Sequence, residues 1–392
     1  MTRLLVYSHD TYGLGNLRRM LSVCESLLGA LPEATILLLS GSPMIQGFRL
    51  PPRLDYVKLP CLTRIGRERY VARTLGVTLE EAVRLRAGLA LAAAREFGPD
   101  LFLVDKKPCG IRNELTPALE YLRESLPQSK RVLILRDILD APEETTRVWE
   151  RNGYHEVIEA LYARVLVLGA AEVFDPRLEY RFPAGTAARV RFCGYLRRRA
   201  EGASREEVRR RLGIAPEEAL VLVTVGGGQD GLALLSASLD ALAGLPRERR
   251  VRGLLVHGPE MSEEDRDALR ARAAGRPVTL MAFSDELVEL MNAADAVVSM
   301  AGYNTICEIL SLAKPAIVVP RVHPVREQEL RATRMAARGW IRMIPPDRLT
   351  PATLGEALLR ALEAPTAPNG APLDAQDRIA AEIGELLGKG RE

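Results

Sequence analysis

Glycines are the residues whose spacing most clearly permits chemistry. In Val225-Gly226-Gly227-Gly228-Gln229-Asp230-Gly231, a glycine-rich turn joins an apolar run to a helical pattern. Glycine lets a backbone approach phosphates closely, and a helix N-terminus adds free N–H groups and the positive end of its dipole. The chemistry indicated is the binding of a diphosphate, with Gln229 and Asp230 at its edge. No Gly-Lys-Ser/Thr follows, so this is not a P-loop, and the spacing is not Gly-x-Gly-x-x-Gly. The plainer alternative is a tight strand-to-helix turn.

Two more strand ends repeat the pattern. In Ser299-Met300-Ala301-Gly302-Tyr303-Asn304-Thr305-Ile306-Cys307-Glu308, Asn304 and Thr305 suit a first helical turn, where they can cap or meet a phosphate. Glu308, one turn on among apolar neighbours, could take two hydrogen bonds from a ribose diol. In Pro320-Arg321-Val322-His323-Pro324-Val325-Arg326-Glu327-Gln328-Glu329, Gln328 can both donate to and accept from sugar hydroxyls. His323 and Arg326 could reach the same ligand, while Arg326 and Glu327 also suit a solvated helix start.

The first half offers proton acceptors and cations. His9 ends an apolar run in Tyr7-Ser8-His9-Asp10-Thr11-Tyr12-Gly13-Leu14-Gly15-Asn16-Leu17-Arg18-Arg19, and Asp105 ends another. A buried or half-buried carboxylate with a raised pKa is a credible general base, and His9 is its rival. The segment around Arg64, Arg67, Arg69 and Arg73 is expected to be a mobile loop gripping an anionic acceptor. Asp265-Arg266-Asp267 could hold an ion, but its charged helix start reads as a solvated face. No metal or cofactor is expected.

These residues need a scaffold that gathers strand ends. Short apolar runs at 4–8, 35–40, 101–105, 132–135 and 165–168, and again at 220–225, 252–257, 278–281, 296–299 and 316–319, alternate with helical patterns. The helices expected are 17–28, 79–97, 113–125 and 154–162, then 232–243, 262–273, 284–292, 303–312 and 326–337. The pattern predicts an α/β protein of two doubly wound, Rossmann-like domains, with ligands at the carboxyl ends of the strands. The expected domains are 1–198 for the acceptor and 199–365 for the donor. A tail helix within 366–392 is expected to pack back on the first domain. A helix start is expected at Ser204, with Glu207 completing a capping box.

In order and spacing, the three motifs of residues 220–340 resemble the C-terminal half of GT-B glycosyltransferases of the family 28 group, typified by the UDP-N-acetylglucosamine transferase of peptidoglycan lipid synthesis. The stretch is closer still to bacterial predicted glycosyltransferases of unassigned substrate. The resemblance implies a GT-B fold with a central cleft, and no metal. It implies an inverting transfer from a nucleotide diphosphate sugar, UDP-linked, to a hydroxyl acceptor. It assigns Gly226, Gly227, Gly228 and the helix start at Gly302 and Tyr303 to the diphosphate, and Glu308 to the ribose. Glu327 and Gln328 are assigned to the donor sugar, and Phe283 is grouped with the donor-binding residues. Glu327 departs from the glutamine of that pattern. Over residues 1–30 the resemblance places Gly13 and Gly15 in an acceptor loop, and Asn16 where the family has a histidine proposed as base. An amide cannot take a proton at pH 7, so Asn16 positions the acceptor or the base lies elsewhere. A UDP-sugar 2-epimerase and a non-catalytic nucleotide-sugar sensor remain alternatives.

Composition narrows the field. Of 392 residues, 47% are hydrophobic and 27% charged, which excludes wholesale disorder. No apolar run approaches the ~18 residues of a membrane span. The start of the chain is too short in apolar residues for a signal peptide, and the 5 scattered cysteines lack any Cys-x-x-Cys, so a cytoplasmic location is expected. Residues 1–200 carry 30 Lys and Arg against 23 Asp and Glu, whereas residues 201–392 carry 24 against 28. The basic first half points to an anionic partner, such as a lipid-linked acceptor at the inner membrane face. Aromatic residues at 5% argue against single-stranded nucleic acid.

Overall fold

Leu, Val and Ile runs that are apolar on both faces require a sheet covered on both sides. The computed structural model, which describes residues 1–9, 15–66, 69–364 and 370–388, buries them that way. The first strands are β1 (Thr2–Ser8), β2 (Ala34–Ser40), β3 (Leu54–Lys58), β4 (Leu62–Gly66), β5 (Arg69–Ala72), β6 (Leu101–Asp105), β7 (Lys130–Arg136), β8 (Arg164–Leu168) and β9 (Val190–Phe192). Seven of them form one parallel sheet in the order β3-β2-β1-β6-β7-β8-β9. The rest are β10 (Ala219–Thr224), β11 (Val251–Val256), β12 (Val278–Met281), β13 (Ala296–Ser299), β14 (Ala316–Val318) and β15 (Arg342–Met343), in a second parallel sheet ordered β12-β11-β10-β13-β14-β15.

Both sheets start in the middle and wind outward in two directions. The strand order reverses between β1 and β6 in one sheet and between β10 and β13 in the other. At such a point the loops leaving two adjacent strands diverge and open a crevice beyond the carboxyl ends, where ligands of this architecture bind. His9 and Asp105 end the first such pair, and the loops at Gly226 and Gly302 end the second.

By its internal contacts the chain divides into Met1–Leu196 with the segment from Asp374, and Arg197–Leu373. Residues 370–373, expected with the tail, go with the second unit. The last helix, Ala375–Leu386, buries Ala375, Ile379 and Ile383. It packs against the helix Gly15–Ala30, where Ser26 Oγ donates to the Gln376 carbonyl at 3.2 Å, and Glu382 pairs with Arg164 at 3.3 Å. The helix Arg205–Arg211 is capped by Ser204, whose side chain accepts from the Glu207 N–H.

The arginine-rich segment differs from expectation. It is an antiparallel hairpin of β4 and β5, not an irregular loop, with Thr63 opposite Val71 and Arg64 opposite Tyr70. Leu62 and Tyr70 bury with Ala82 and Ile111, which gives the hairpin a core of its own. That apolar face anchors it, and Arg64 and Arg69 sit on its paired strands.

Candidate functional site

The second unit brings the three C-terminal motifs to one end of its sheet. After β10 the chain turns through Gly226 at φ 69° and Gly228 at φ 99°. A Cβ on Gly228 would lie 2.2 Å from the His257 carbonyl oxygen, and one on Gly258 would lie 2.4 Å from the Gly227 backbone. The loops after β10 and β11 therefore touch backbone to backbone, tied by the Glu260 N–H donating to the Gly227 carbonyl at 2.8 Å. Gly227 differs from its neighbours. Its φ is not positive, and the atoms nearest a Cβ there would be those of the Glu260 carboxyl group, at 3.3–3.7 Å. Gln229 and Asp230 are exposed beyond this turn, just before the helix Leu232–Ala243.

Gly302 caps the helix Tyr303–Ser311 without any side-chain cap, and Asn304 and Thr305 are half-buried in its first turn. Tyr303 is buried, with the Arg331 guanidinium 5.7 Å from its ring centroid. Arg331 is itself fully buried and donates to the Ala301 carbonyl at 2.8 Å. Glu308 is also fully buried. Gln328 also braces the loops around it. Its side-chain oxygen accepts from the N–H groups of Ala301 and Arg321, both at 3.1 Å, and so locks the loops after β13 and β14 together. Only its amide N–H groups are left for a sugar.

Arg321 ties the glycine turn to this pair of loops. Its guanidinium lies 3.7 Å from Asp230 and 3.6 Å from the nearly buried Glu327. Arg326 is exposed and pairs with Glu329 at 2.7 Å, and His323 is exposed. Phe283, past β12, is 52% exposed, a large apolar ring open to solvent. Asp265 and Asp267 lie on the first turns of the helix Glu263–Ala273, where Asp267 pairs with Arg270 at 2.5 Å. Among the described residues no three His, Cys, Asp or Glu side chains cluster as metal ligands would.

The first unit pairs Asp105 with a cation. Expected as a buried or half-buried carboxylate facing ligand, it is fully buried, and both of its oxygens accept from Arg19 Nη2, at 2.7 and 2.9 Å. One also accepts the His9 N–H at 3.2 Å. These bonds tie β1, β6 and the helix Gly15–Ala30 together. Asn16 Nδ2 donates to the His9 carbonyl, and Asn16 Oδ1 accepts from Arg19 at 3.2 Å. Beside this lies a second buried set. Tyr7 OH donates to Glu114 at 2.5 Å, and Arg86 forms a double hydrogen bond with the same carboxylate. Burial alone would lower the Arg86 pKa, but the charge and hydrogen bonds of Glu114 raise it, so the guanidinium stays charged.

His9 is 1% exposed, and burial first, then Lys106, Lys107, Arg86 and Arg64, drives its pKa well below 6.5. Arg64 is half-buried and donates to the Gly66 carbonyl at 3.0 Å. Arg69 and Arg73 are both exposed, with the Arg73 guanidinium 3.5 Å from the Thr63 hydroxyl. Gly15 opens its helix. Gly13 and Arg67 lie outside the described residues.

Two parallel sheets wound in this order have the fold of the GT-B glycosyltransferases. Within that class, residues 220–383 match the glycosyltransferase family 28 C-terminal domain, a stretch that runs from β10 to the tail helix. An uncharacterized glycosyltransferase of Methanopyrus kandleri is 31% identical over 243 residues, 59% of this chain and 62% of that one. The UDP-N-acetylglucosamine–N-acetylmuramyl-(pentapeptide) pyrophosphoryl-undecaprenol N-acetylglucosamine transferase of Chromohalobacter salexigens is 33% identical over 41% of this chain and 46% of its own. The chain thus spans roughly half the length of the curated relatives it matches.

Among solved structures, the glycotransferase of kitacinnamycin superposes with a TM-score of 0.63 at 16% identity, covering 98% of this chain and 99% of that one. A UDP-N-acetylglucosamine 2-epimerase from Listeria monocytogenes, itself unconfirmed in function, gives 0.65 at 12%, covering 100% and 98%. Both classes share the fold, so the fold does not separate them.

Proposed function

We propose that this protein is an inverting, metal-independent glycosyltransferase. It moves a sugar from a nucleotide diphosphate sugar, UDP-linked, to a hydroxyl of an anionic, lipid-linked acceptor. One observation carries the reading. The glycine turn after β10 and the uncapped helix start at Gly302 flank the switch point of a sheet that lies in the family 28 match. The first N–H groups of a helix have no partner within it, so two helix starts suit a diphosphate and favour it more as it leaves with added negative charge.

In this reading Gly226, Gly227, Gly228, Asn304 and Thr305 hold the diphosphate, and Phe283 offers a face to the base. Glu308 takes the ribose, while the Gln328 amide and Glu327 meet the sugar. Gln229, Asp230 and Tyr303 border the same site. Arg321, between Asp230 and Glu327, keeps two carboxylates near a polyanion from repelling it. Helix starts take the part a metal plays elsewhere, so transfer should survive EDTA. The acceptor hydroxyl attacks the anomeric carbon as the diphosphate departs, which inverts that centre.

The first unit is the acceptor's, and a cytoplasmic protein held at the inner membrane face would meet a lipid-linked one. The hairpin supports this reading. Ile65 and Val71 share its outer face at 55% and 38% exposure, Leu75 follows at 52%, and Arg69 is exposed nearby. Apolar side chains set among arginines suit an anionic bilayer.

The test is incubation with UDP-[14C]N-acetylglucosamine and a bacterial lipid extract, with EDTA present. Label should pass to the lipid phase. Interconversion of the sugar without any extract would favour the epimerase. Tight binding without turnover would favour a sensor.

A further inference from the structure

The second unit has an opening at the end of its sheet away from the glycine turn. Ala316 opens β14 and Arg342 lies at the start of β15, and the two strands run parallel, so their amino ends lie side by side. There they meet the last turns of the helices Glu327–Ala336 and Pro351–Glu363, around a cavity of about 520 Å³. Small residues leave that room. Ala313, Ala316, Ala336, Gly339 and Ala361 line it where side chains the size of leucine would fill it. Close-packed interiors hold few voids larger than a water molecule, and small-molecule sites run to ~300–1,000 Å³. The glycine turn, Gly302 and Gln328 lie beyond the carboxyl ends of the strands, and none of them lines this cavity.

Two kinds of surface face the opening. Ile341, Met343 and the half-buried Trp340 ring supply apolar area. Lys314, Arg342 and Arg360 supply three positive charges, and the lining contains no Asp or Glu. The three cations are not equally available. Lys314 Nζ donates to the Asn292 and Ala294 carbonyls at 2.6 and 2.9 Å. Arg360 has Glu356 at 3.7 Å, but both are well exposed, and water weakens such a pair. The exposed Arg342 guanidinium makes no hydrogen bond or ion pair with any described residue.

We propose that this cavity binds a small apolar carboxylate, with its hydrocarbon part against Trp340, Ile341 and Met343 and its head on Arg342 and Arg360. A guanidinium fork matches a planar carboxylate in two parallel hydrogen bonds. A cationic ligand would meet three like charges, and a neutral one would leave the arginines unused. A bare inorganic anion would leave the apolar walls wet. The site does not depend on the transferase reading, because it shares no residue with the donor site proposed above.

Trp340 reports on the cavity directly. The chain has 2 tryptophans, and the other, Trp149, is buried in the first unit and stacked on Phe182 at 5.0 Å. In full-length Trp149→Phe protein, sodium octanoate should shift Trp340 emission to the blue along a saturable curve as hydrocarbon replaces water at the ring. Octanol and octylammonium carry the same chain without the anion, and should bind at least ~10-fold more weakly, the share of one charge-assisted hydrogen bond. Arg342→Gln/Arg360→Gln should weaken octanoate by at least the same factor and leave octanol unchanged. Both arginines are exposed, so thermal unfolding of that variant should match the parent. Ala336→Leu should fill the cavity and reduce the response to all three compounds. Calorimetry on the wild type checks the ranking without the Trp149 substitution. Emission unmoved by octanoate, a response that never saturates, or equal affinity for the three compounds overturns the site. Octanoate affinity that is unchanged in the double arginine variant, or in Ala336→Leu, overturns it as well.

Discussion

Arg19 and Asp105 are buried to within 2% and 0% exposure, so neither charge has water to fall back on. Asp105→Asn strands the guanidinium, and breaking such a pair costs about 3–5 kcal/mol. Urea unfolding should show a loss of that order, while calorimetry with UDP-N-acetylglucosamine, which binds the other unit in this account, should be unchanged. A stable variant would contradict the structural role assigned to Asp105. Histidine sets a pH dependence. His9 and His155 are both lowered, chiefly by burial, so the unfolded chain binds protons that the folded one refuses. Stability is therefore full above about 6.5 and falls as the pH drops below it. His9→Gln should flatten the decline between pH 7 and 5, and an unchanged slope would show that His9 does not contribute. The sequence displayed His9 and Asp105 at strand ends but not their partners. Asp105 and Arg19 are far apart in the chain, and burial is what turns a candidate base into an ion pair. Arg86 left a trace, since it interrupts the stripe of Ala82, Ala90 and Ala94 that its helix buries.

At the level of elements, the glycine turn can be divided into its parts. Gly228→Ala would put a Cβ into the His257 carbonyl and should disrupt both loops, whereas Gly227 has room beside a side chain that can move. Gly227→Val is therefore the informative variant. Its thermal unfolding should stay close to wild type while donor affinity is lost, and retained affinity in the folded variant would remove the diphosphate assignment. The central strands were legible because both faces are buried and the runs are uniformly apolar. The edge strands β3, β9 and β15 were not, being short or mixed in polarity. The helix Pro142–Arg151 buries only Thr145 and Trp149, too thin a stripe to read. The helix Pro351–Glu363 carries a clear start at Thr350 and Pro351 but follows a loop without strong periodicity. The hairpin β4–β5 escaped because its arginines mask the alternation that buries Leu62 and Tyr70. Glu260 lies outside every motif and Arg321 was only a neighbour within one, and only the folded loops bring them to the glycine turn.

For the whole molecule, the proposed function divides the donor and an anionic acceptor between the two units. Among the described residues no helix is long and apolar enough to cross a membrane. Co-sedimentation with anionic vesicles should be strong at low salt, fall as the Debye length shortens through ~10 Å at 0.1 M, and weaken in an Arg64→Gln/Arg69→Gln/Arg73→Gln variant. Equal binding to neutral vesicles, or none to either, would contradict the membrane part. The central claim is that the second unit binds a nucleotide diphosphate sugar, and thermal unfolding in a panel of UDP-, GDP-, TDP- and ADP-sugars tests it most directly. A UDP-sugar at 100 times its Kd should add ~2.7 kcal/mol of stability to the wild type and none to Gly227→Val. A panel in which no nucleotide sugar stabilises the wild type, or in which Gly227→Val responds equally, would contradict it.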